Sequence, residues 1–202
     1  IICLCVFAYL IGSIPFGLVF AKIFTSQNLR KIGSGNIGAT NAKRAGGWRL
    51  GLATLACDVL KGAIPVLIAA AVSQEYENGL KEIWMALTAI SAFSGHLFPV
   101  YLKLKTGGKG VATAAGCFAV ISPISLAISL ISFIIAVGIS KQVSTGSLAA
   151  AIMLSISVIC LNQPLSIIGC ALFISIAIIL RHKDNIKRLI AGTEPTIREK
   201  GK

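Results

Sequence analysis

Val111 to Ile139 reads VATAAGCFAVISPISLAISLISFIIAVGI, 29 residues without a charge and with Ser122-Pro123 near the middle. A helix needs about 20 apolar residues to cross a bilayer, with a range of about 17–25. The segment is therefore either one long kinked helix or two short helices that turn at the proline, which has no backbone N–H and clashes with the preceding turn. Outward from it, further apolar segments run over 1–24, 48–72, 83–101, 146–161 and 165–180.

Charge in the connections separates the two readings. Residues 25–47 hold Arg30, Lys31, Lys43 and Arg44 and no acid. Residues 73–82 hold Glu75, Glu77 and Glu82 against Lys81 alone. Lys103, Lys105 and Lys109 follow the third segment, and the tail 181–202 carries seven basic residues. Basic and acidic connections thus alternate, as expected when Lys and Arg stay on the cytoplasmic side. If Val111–Ile139 crosses once, Lys141 and the tail fall on different sides and the tail lies outside. If it crosses twice, with Pro123 at the outer turn, both fall inside. The expectation is an all-α integral membrane protein of seven transmembrane helices, N-terminus out and C-terminus cytoplasmic. Residues 1–202 form a single multi-pass domain.

Composition points the same way. The chain is 55% hydrophobic and 13% charged, where a soluble domain carries about 25% charged residues. Its net charge is +12, from 19 basic and 7 acidic residues. Basic stripes flanked by aromatics on a polar surface are absent, so no nucleic-acid partner is expected. The charges serve topology and anion binding at the lipid bilayer. Six cysteines, Cys3, Cys5, Cys57, Cys117, Cys160 and Cys170, all lie in apolar stretches and read as small lipid- or core-facing residues. With no CxxC pair and no His/Cys metal spacing, neither a metal nor a cofactor is expected. The first segment lacks a basic n-region and reads as a retained helix rather than a cleaved signal peptide. Spacings such as Gly12/Gly17 and Gly47/Gly51 suit close helix packing in lipid.

Three polar islands interrupt the apolar pattern on the side assigned as cytoplasmic. The first is Gly33-Ser34-Gly35-Asn36-Ile37-Gly38-Ala39-Thr40-Asn41, followed by Arg44. It contains a formal G-x-G-x-x-G, but a membrane segment and a basic loop precede it rather than a strand, which excludes a dinucleotide fold. Its hydroxyls, amides and glycine backbone supply neutral donors, and Arg44 supplies a planar fork for a phosphate. The second is Lys103-Leu-Lys-Thr-Gly-Gly-Lys-Gly-Val-Ala-Thr113. It fails as a Walker motif, since Gly110 follows Lys109 where Ser or Thr is required. Lys103 and Lys105 read as snorkelling lysines. Lys109, between Gly107-Gly108 and Gly110, is the candidate anion ligand, aided by the dipole of a helix starting near Val111. The third is Arg181 to Glu194, where His182 and Asn185 share a face if the helix continues. Ser144-Thr145-Gly146-Ser147 falls on the same side and reads as a helix cap or as a donor of hydroxyl bonds. Asp58 and Lys61, three apart within the second segment, read as an internal ion pair or as support for the site. His96 reads as a packing histidine.

Taken together, these pieces resemble the bacterial membrane-bound acyl-phosphate:glycerol-3-phosphate acyltransferase family. The resemblance rests on G-S-G-N-I-G-A-T-N-A-K-R at 33–44, D-V-L-K-G at 58–62, G-H-L-F-P-V at 95–100, G-G-K-G-V-A-T at 107–113 and R-H-K-D-N-I-K-R-L-I-A-G-T-E at 181–194. It implies seven transmembrane helices with the site on the cytoplasmic face of the bacterial inner membrane. It also implies transfer of a fatty acyl group from acyl phosphate to the 1-hydroxyl of glycerol 3-phosphate, giving lysophosphatidic acid and phosphate, the first step of phospholipid synthesis. A soluble enzyme that makes acyl phosphate is the implied partner. On this reading Ser34, Lys109, His182 and Asn185 are catalytic. Substrate contacts fall to Gly33, Gly35, Asn36, Gly38, Thr40, Asn41, Arg44, Gly107, Gly108, Gly110, Glu194 and either Ser144 or Ser147. The chain departs from the family pattern at Thr106, an extra residue before Gly107, and at Asp184, where glutamate is usual.

The chemistry is coherent without a covalent acyl-enzyme. No acid lies five residues after either histidine: those positions are Tyr101 and Lys187. No Ser-His-Asp set stands out. Phosphate is already a good leaving group, so catalysis can rest on positioning and on donors aimed at the developing oxyanion. A transporter would require an inverted repeat and motifs at mid-depth, and neither is visible.

Overall fold

The computed structural model describes residues 1–74, 79–105 and 107–197. Among these the regular structure is helical: α1 (Ile2–Gly12), α2 (Phe16–Phe24), α3 (Ala39–Val72), α4 (Leu80–Leu97), α5 (Val111–Ile121), α6 (Pro123–Ser140), α7 (Val143–Cys160), α8 (Leu165–Arg181) and α9 (Lys183–Ile190), with 3-10 turns at Leu29–Lys31 and Val100–Leu102. Glu75, Glu77 and Thr106, on which the acidic connection and the extra-residue reading rest, lie outside the described residues.

Five segments are long and apolar enough to cross a membrane: Ile2–Phe24, Ala39–Val72, Leu80–Leu102, Pro123–Ser140 and Val143–Cys160. The pair α8 and α9, bent by 56°, makes a sixth if taken as one span. Val111–Ile139 does divide at the serine-proline step: α5 ends at Ile121, Ser122 leaves helical geometry with φ −151° and ψ 83°, and Pro123 opens α6 at a position where its missing N–H costs nothing. The two halves are unequal. With 11 residues, α5 rises about 16 Å, roughly half of a 30 Å hydrocarbon core.

Two breaks shape the bundle. Ser13-Ile14-Pro15 separates α1 from α2 and frees backbone groups that have no water partner in lipid. Lys61 Nζ donates to the freed Ile14 carbonyl at 2.9 Å and pairs with Asp58 at 2.7 Å. The ion pair thus braces the first span against α3. Within α3, Gly46 and Gly47 leave helical geometry, and Gly47 has φ 78° and ψ −175°, a region open essentially to glycine alone. The first part of α3 is thereby set apart from the part that crosses, which starts at Trp48. Trp48 is exposed and carries the Arg49 guanidinium 5.9 Å from its ring, an arrangement suited to the membrane interface.

Helix packing is close where side chains are absent. A Cβ on Gly62 would come within 2.2 Å of the Thr113 carbonyl, and one on Gly116 within 2.0 Å of the Val59 carbonyl, so α3 and α5 touch backbone to backbone. The core runs through α3, α4, α5, α7 and α8 and includes Val66, Phe93, Phe118, Leu154, Val158 and Ile174. Outside it the bundle shows large apolar residues such as Ile134, Ile139 and Leu165, the surface a lipid-facing helix requires.

Candidate active site

The first island is a loop built on its own polar side chains. Gly33 and Gly35 turn it with φ of 52° and 65°. Asn36 Oδ1 accepts from the Gly38 N–H at 3.0 Å and steers the chain into α3. Asn41 donates both amide hydrogens inward, to the Leu29 and Asn36 carbonyls, each at 2.8 Å. Its Oδ1 is buried without a partner and lies close under Gly33. Asn41 therefore holds the loop and retains an acceptor, not a donor, toward Gly33. Ser34 and Thr40 are exposed. Arg44 is half-buried with its guanidinium against Gly33, and among the described residues it has neither an ion pair nor a hydrogen bond.

The second island is clamped to the end of α4. The Gly107 and Gly108 N–H groups donate to the Leu97 and His96 carbonyls at 2.9 and 3.2 Å. Those two N–H groups are thus spent inside the protein. The glycine identity of position 108 follows from packing instead, since a Cβ there would lie 2.0 Å from His96 Nε2. Gly110 has φ 83° and its missing side chain faces the Phe93 ring. The buried His96 imidazole contacts Thr113 Oγ1 at 3.2 Å and stands 3.8 Å from Asp58. The Asp58–Lys61 pair and His96 therefore form a polar prop beneath the loop.

From this loop Lys109 reaches the third island. Its Nζ donates to Asn185 Oδ1 at 2.5 Å. Asn185 in turn donates to Glu194 Oε1 at 2.5 Å, and Arg188 donates to Glu194 Oε2 at 2.7 Å. Burial lowers the Lys109 ammonium to about 8, with Arg188 and Arg181 acting in the same sense and Glu194 and Asp184 against it. Burial works to raise the Glu194 carboxyl, but Ser144, Asn185 and Arg188 outweigh it and hold the group below its ordinary value. The carboxylate and the ammonium are thus separated by one neutral amide that bonds to both.

The turn between α6 and α7 closes the network. Gln142 Nε2 donates to the Glu194 carbonyl at 3.1 Å, and the Ile197 N–H to the Lys141 carbonyl at 2.9 Å. Of the two candidate serines, Ser147 Oγ bonds back to the Val143 carbonyl at 3.0 Å. Ser144 Oγ is buried beside Glu194 without a well-formed hydrogen bond, so it is the serine turned to this network. His182 ends α8 with Nδ1 2.8 Å from the Ile178 carbonyl, which places the proton on Nδ1 and leaves Nε2 as an acceptor.

The second and third islands and the α6–α7 turn therefore meet in one hydrogen-bonded network. An open cleft of about 500 Å³ is lined by Arg30, in the connection that leads to the first island, and by Leu102, Leu104 and Lys105 at the start of the second. Three residues of the network carried no functional reading in the sequence. Gln142 had no signal. Arg188 read as an ordinary basic residue. Arg181 was signalled only by its spacing, one helical turn before Asn185. It donates to the Gly107 and Gly108 carbonyls at 3.0 Å each through Nη2, and to Gly108 again at 3.2 Å through Nε.

A helical bundle with lipid-facing walls, ending in clustered cations, amides and one held carboxylate, defines a polytopic membrane enzyme acting on anionic substrates. The family model for glycerol-3-phosphate acyltransferase matches residues 2–192. A glycerol-3-phosphate acyltransferase of Anaeromyxobacter sp. (strain K) is 41% identical over 94% of this chain and 93% of its own length, and that of Syntrophotalea carbinolica is 44% identical over 93% and 92%. The crystal structure of PlsY, an integral membrane glycerol 3-phosphate acyltransferase, in its glycerol 3-phosphate form superposes with a TM-score of 0.90 at 37% identity, covering 96% of this chain and 94% of that one. Its lysophosphatidic acid form gives 0.87 at 36% identity. The chain belongs to the glycerol-3-phosphate acyltransferase family and is an integral membrane acyltransferase.

Proposed function

We propose that the protein transfers a long-chain acyl group from acyl phosphate to the 1-hydroxyl of glycerol 3-phosphate, releasing lysophosphatidic acid and phosphate. The observation that carries this reading is the Lys109–Asn185–Glu194 chain at the end of the bundle, with an unneutralised Arg44 on the first island. Two phosphates need two cationic positions, and a lipid donor needs a bilayer beside them. Relatives named for glycerol-3-phosphate acylation and PlsY forms holding glycerol 3-phosphate and lysophosphatidic acid support the substrate pair.

Arg44, with Ser34, Thr40 and the Gly33–Gly38 backbone, cradles one phosphate. Lys109 and the first-turn N–H groups of α5 hold the other. Asn185 orients the reacting centre through the bond it shares with Lys109. His182 Nε2, an acceptor in the neutral ring, suits a glycerol hydroxyl better than a phosphate oxygen. Ser144 lines the wall beside Glu194. The hydroxyl proton passes to the departing phosphate of the donor, and no acyl-enzyme forms. Residues 1–202 act as one multi-pass unit in the bacterial cytoplasmic membrane. Seven helices are embedded, the N-terminus is outside, and the site faces a soluble enzyme that supplies acyl phosphate. Purified protein given glycerol 3-phosphate makes lysophosphatidic acid with palmitoyl phosphate and none with palmitoyl-CoA. Turnover with the thioester alone would overturn the donor assignment.

A further inference from the structure

We propose that Arg181 is a positioning residue whose guanidinium grips the carbonyls of Gly107 and Gly108 and so sets where Lys109 stands in the site. The inference rests on the reading of Lys109 as a substrate ligand. The two residues before Lys109 are each held at both backbone groups: their N–H groups bond the end of α4, and their carbonyls bond Arg181. The His96 ring closes the space on one side of Gly108. The loop therefore has little room to relax if the guanidinium is lost. Arg181 is the last residue of α8, and Asn185, one turn on in α9, takes the Lys109 ammonium. One bent helix pair thus fixes both the backbone and the side-chain end of the same lysine. Three bonds from one planar group to two consecutive carbonyls need a fork, which a lysine at 181 does not provide.

Arg181 also bears on the charge of Lys109. The groups facing that ammonium are Glu194, Arg188, Arg181 and Asp184, with His182 nearby and the neutral Asn185 in contact. Of these, Arg188 and Arg181 disfavour the proton. Removing Arg181 therefore raises the pH at which Lys109 discharges.

The test uses the purified full-length protein with palmitoyl phosphate and glycerol 3-phosphate, and compares wild type with R181K, R181A and K109A. R181K keeps the wild-type melting temperature but loses roughly 10- to 100-fold in kcat, the effect expected from misplacing a reacting group by about 1 Å. Its alkaline limb stays in place because the charge remains. R181A loses at least as much, shifts the limb to higher pH, and regains part of its kcat when methylguanidinium is added. Wild-type kcat in R181K overturns the proposal. So does a loss that only tracks a lower melting temperature and leaves the R181A limb unmoved. If R181A does not fold, R181K decides alone. Activity retained in K109A overturns the reading of the site itself. An inactive K109A beside a fully active R181K overturns only the role of Arg181.

Discussion

Lys109 is the residue on which charge and geometry converge. A lysine is ordinarily charged to about 10.5, and burial brings this one to about 8. In the proposed role of phosphate ligand Lys109 acts as the ammonium, so kcat/KM for the phosphorylated substrate falls as pH rises through about 8. A bound phosphate favours the proton, so the limb in kcat lies higher than the limb in kcat/KM. In K109R the group stays charged throughout and the limb disappears, although absolute activity is lower because a guanidinium does not fit the bond to Asn185. Rate–pH profiles of both forms check this, and an unshifted limb in K109R refutes the assignment. Stability moves the other way. Between about 8 and 10.5 the unfolded chain binds the proton that the folded chain has shed, so this group makes the fold more stable as pH rises through that window.

Among the elements, α3 does the most to position the site. Gly47 redirects it between the polar loop and the membrane, its middle supplies the Asp58–Lys61 prop, and its glycine face lets α5 approach. Because α5 begins just after Lys109, the spacing between α3 and α5 reaches the active loop. Gly62→Leu forces a side chain into the Thr113 carbonyl and lowers both the melting temperature in detergent and the acyl-transfer rate. Gly138→Leu, on α6 with open space around its Cβ, changes neither. Equal effects at the two positions would show that this contact is not what locates the loop. The contrast is expected because overpacking a close contact costs about 1–3 kcal/mol, whereas an added side chain facing lipid meets no protein atom.

For the whole molecule, the bend between α8 and α9 and the short α5 mean that burial depth does not follow helix count. The topology proposed above has a direct measurement. With the native cysteines replaced, single cysteines at Gln27 and Gln163 are labelled from opposite faces of sealed vesicles. Gln27 stands in the basic connection before α3, and Gln163 in the turn between α7 and α8. Labelling of both from one face would remove either the division of Val111–Ile139 into two crossings or the proposed sidedness.

What the sequence by itself determined was the membrane class, the division at Ser122-Pro123, the three polar islands and the family. Each of these is local: apolar length, a missing proline N–H, the sign of charge and contiguous motifs are all properties of neighbouring residues. What only the tertiary structure decided was how the islands are used. Ser144 rather than Ser147 faces Glu194, Asn41 spends its donors on its own loop, and Gly108 answers to the His96 ring. Arg181, a basic residue at the end of a span, became the grip on the lysine loop. These are contacts between residues up to 74 positions apart. They depend on which helices lie side by side, and apolar segments whose outer faces all look alike to lipid do not encode that order in any local pattern.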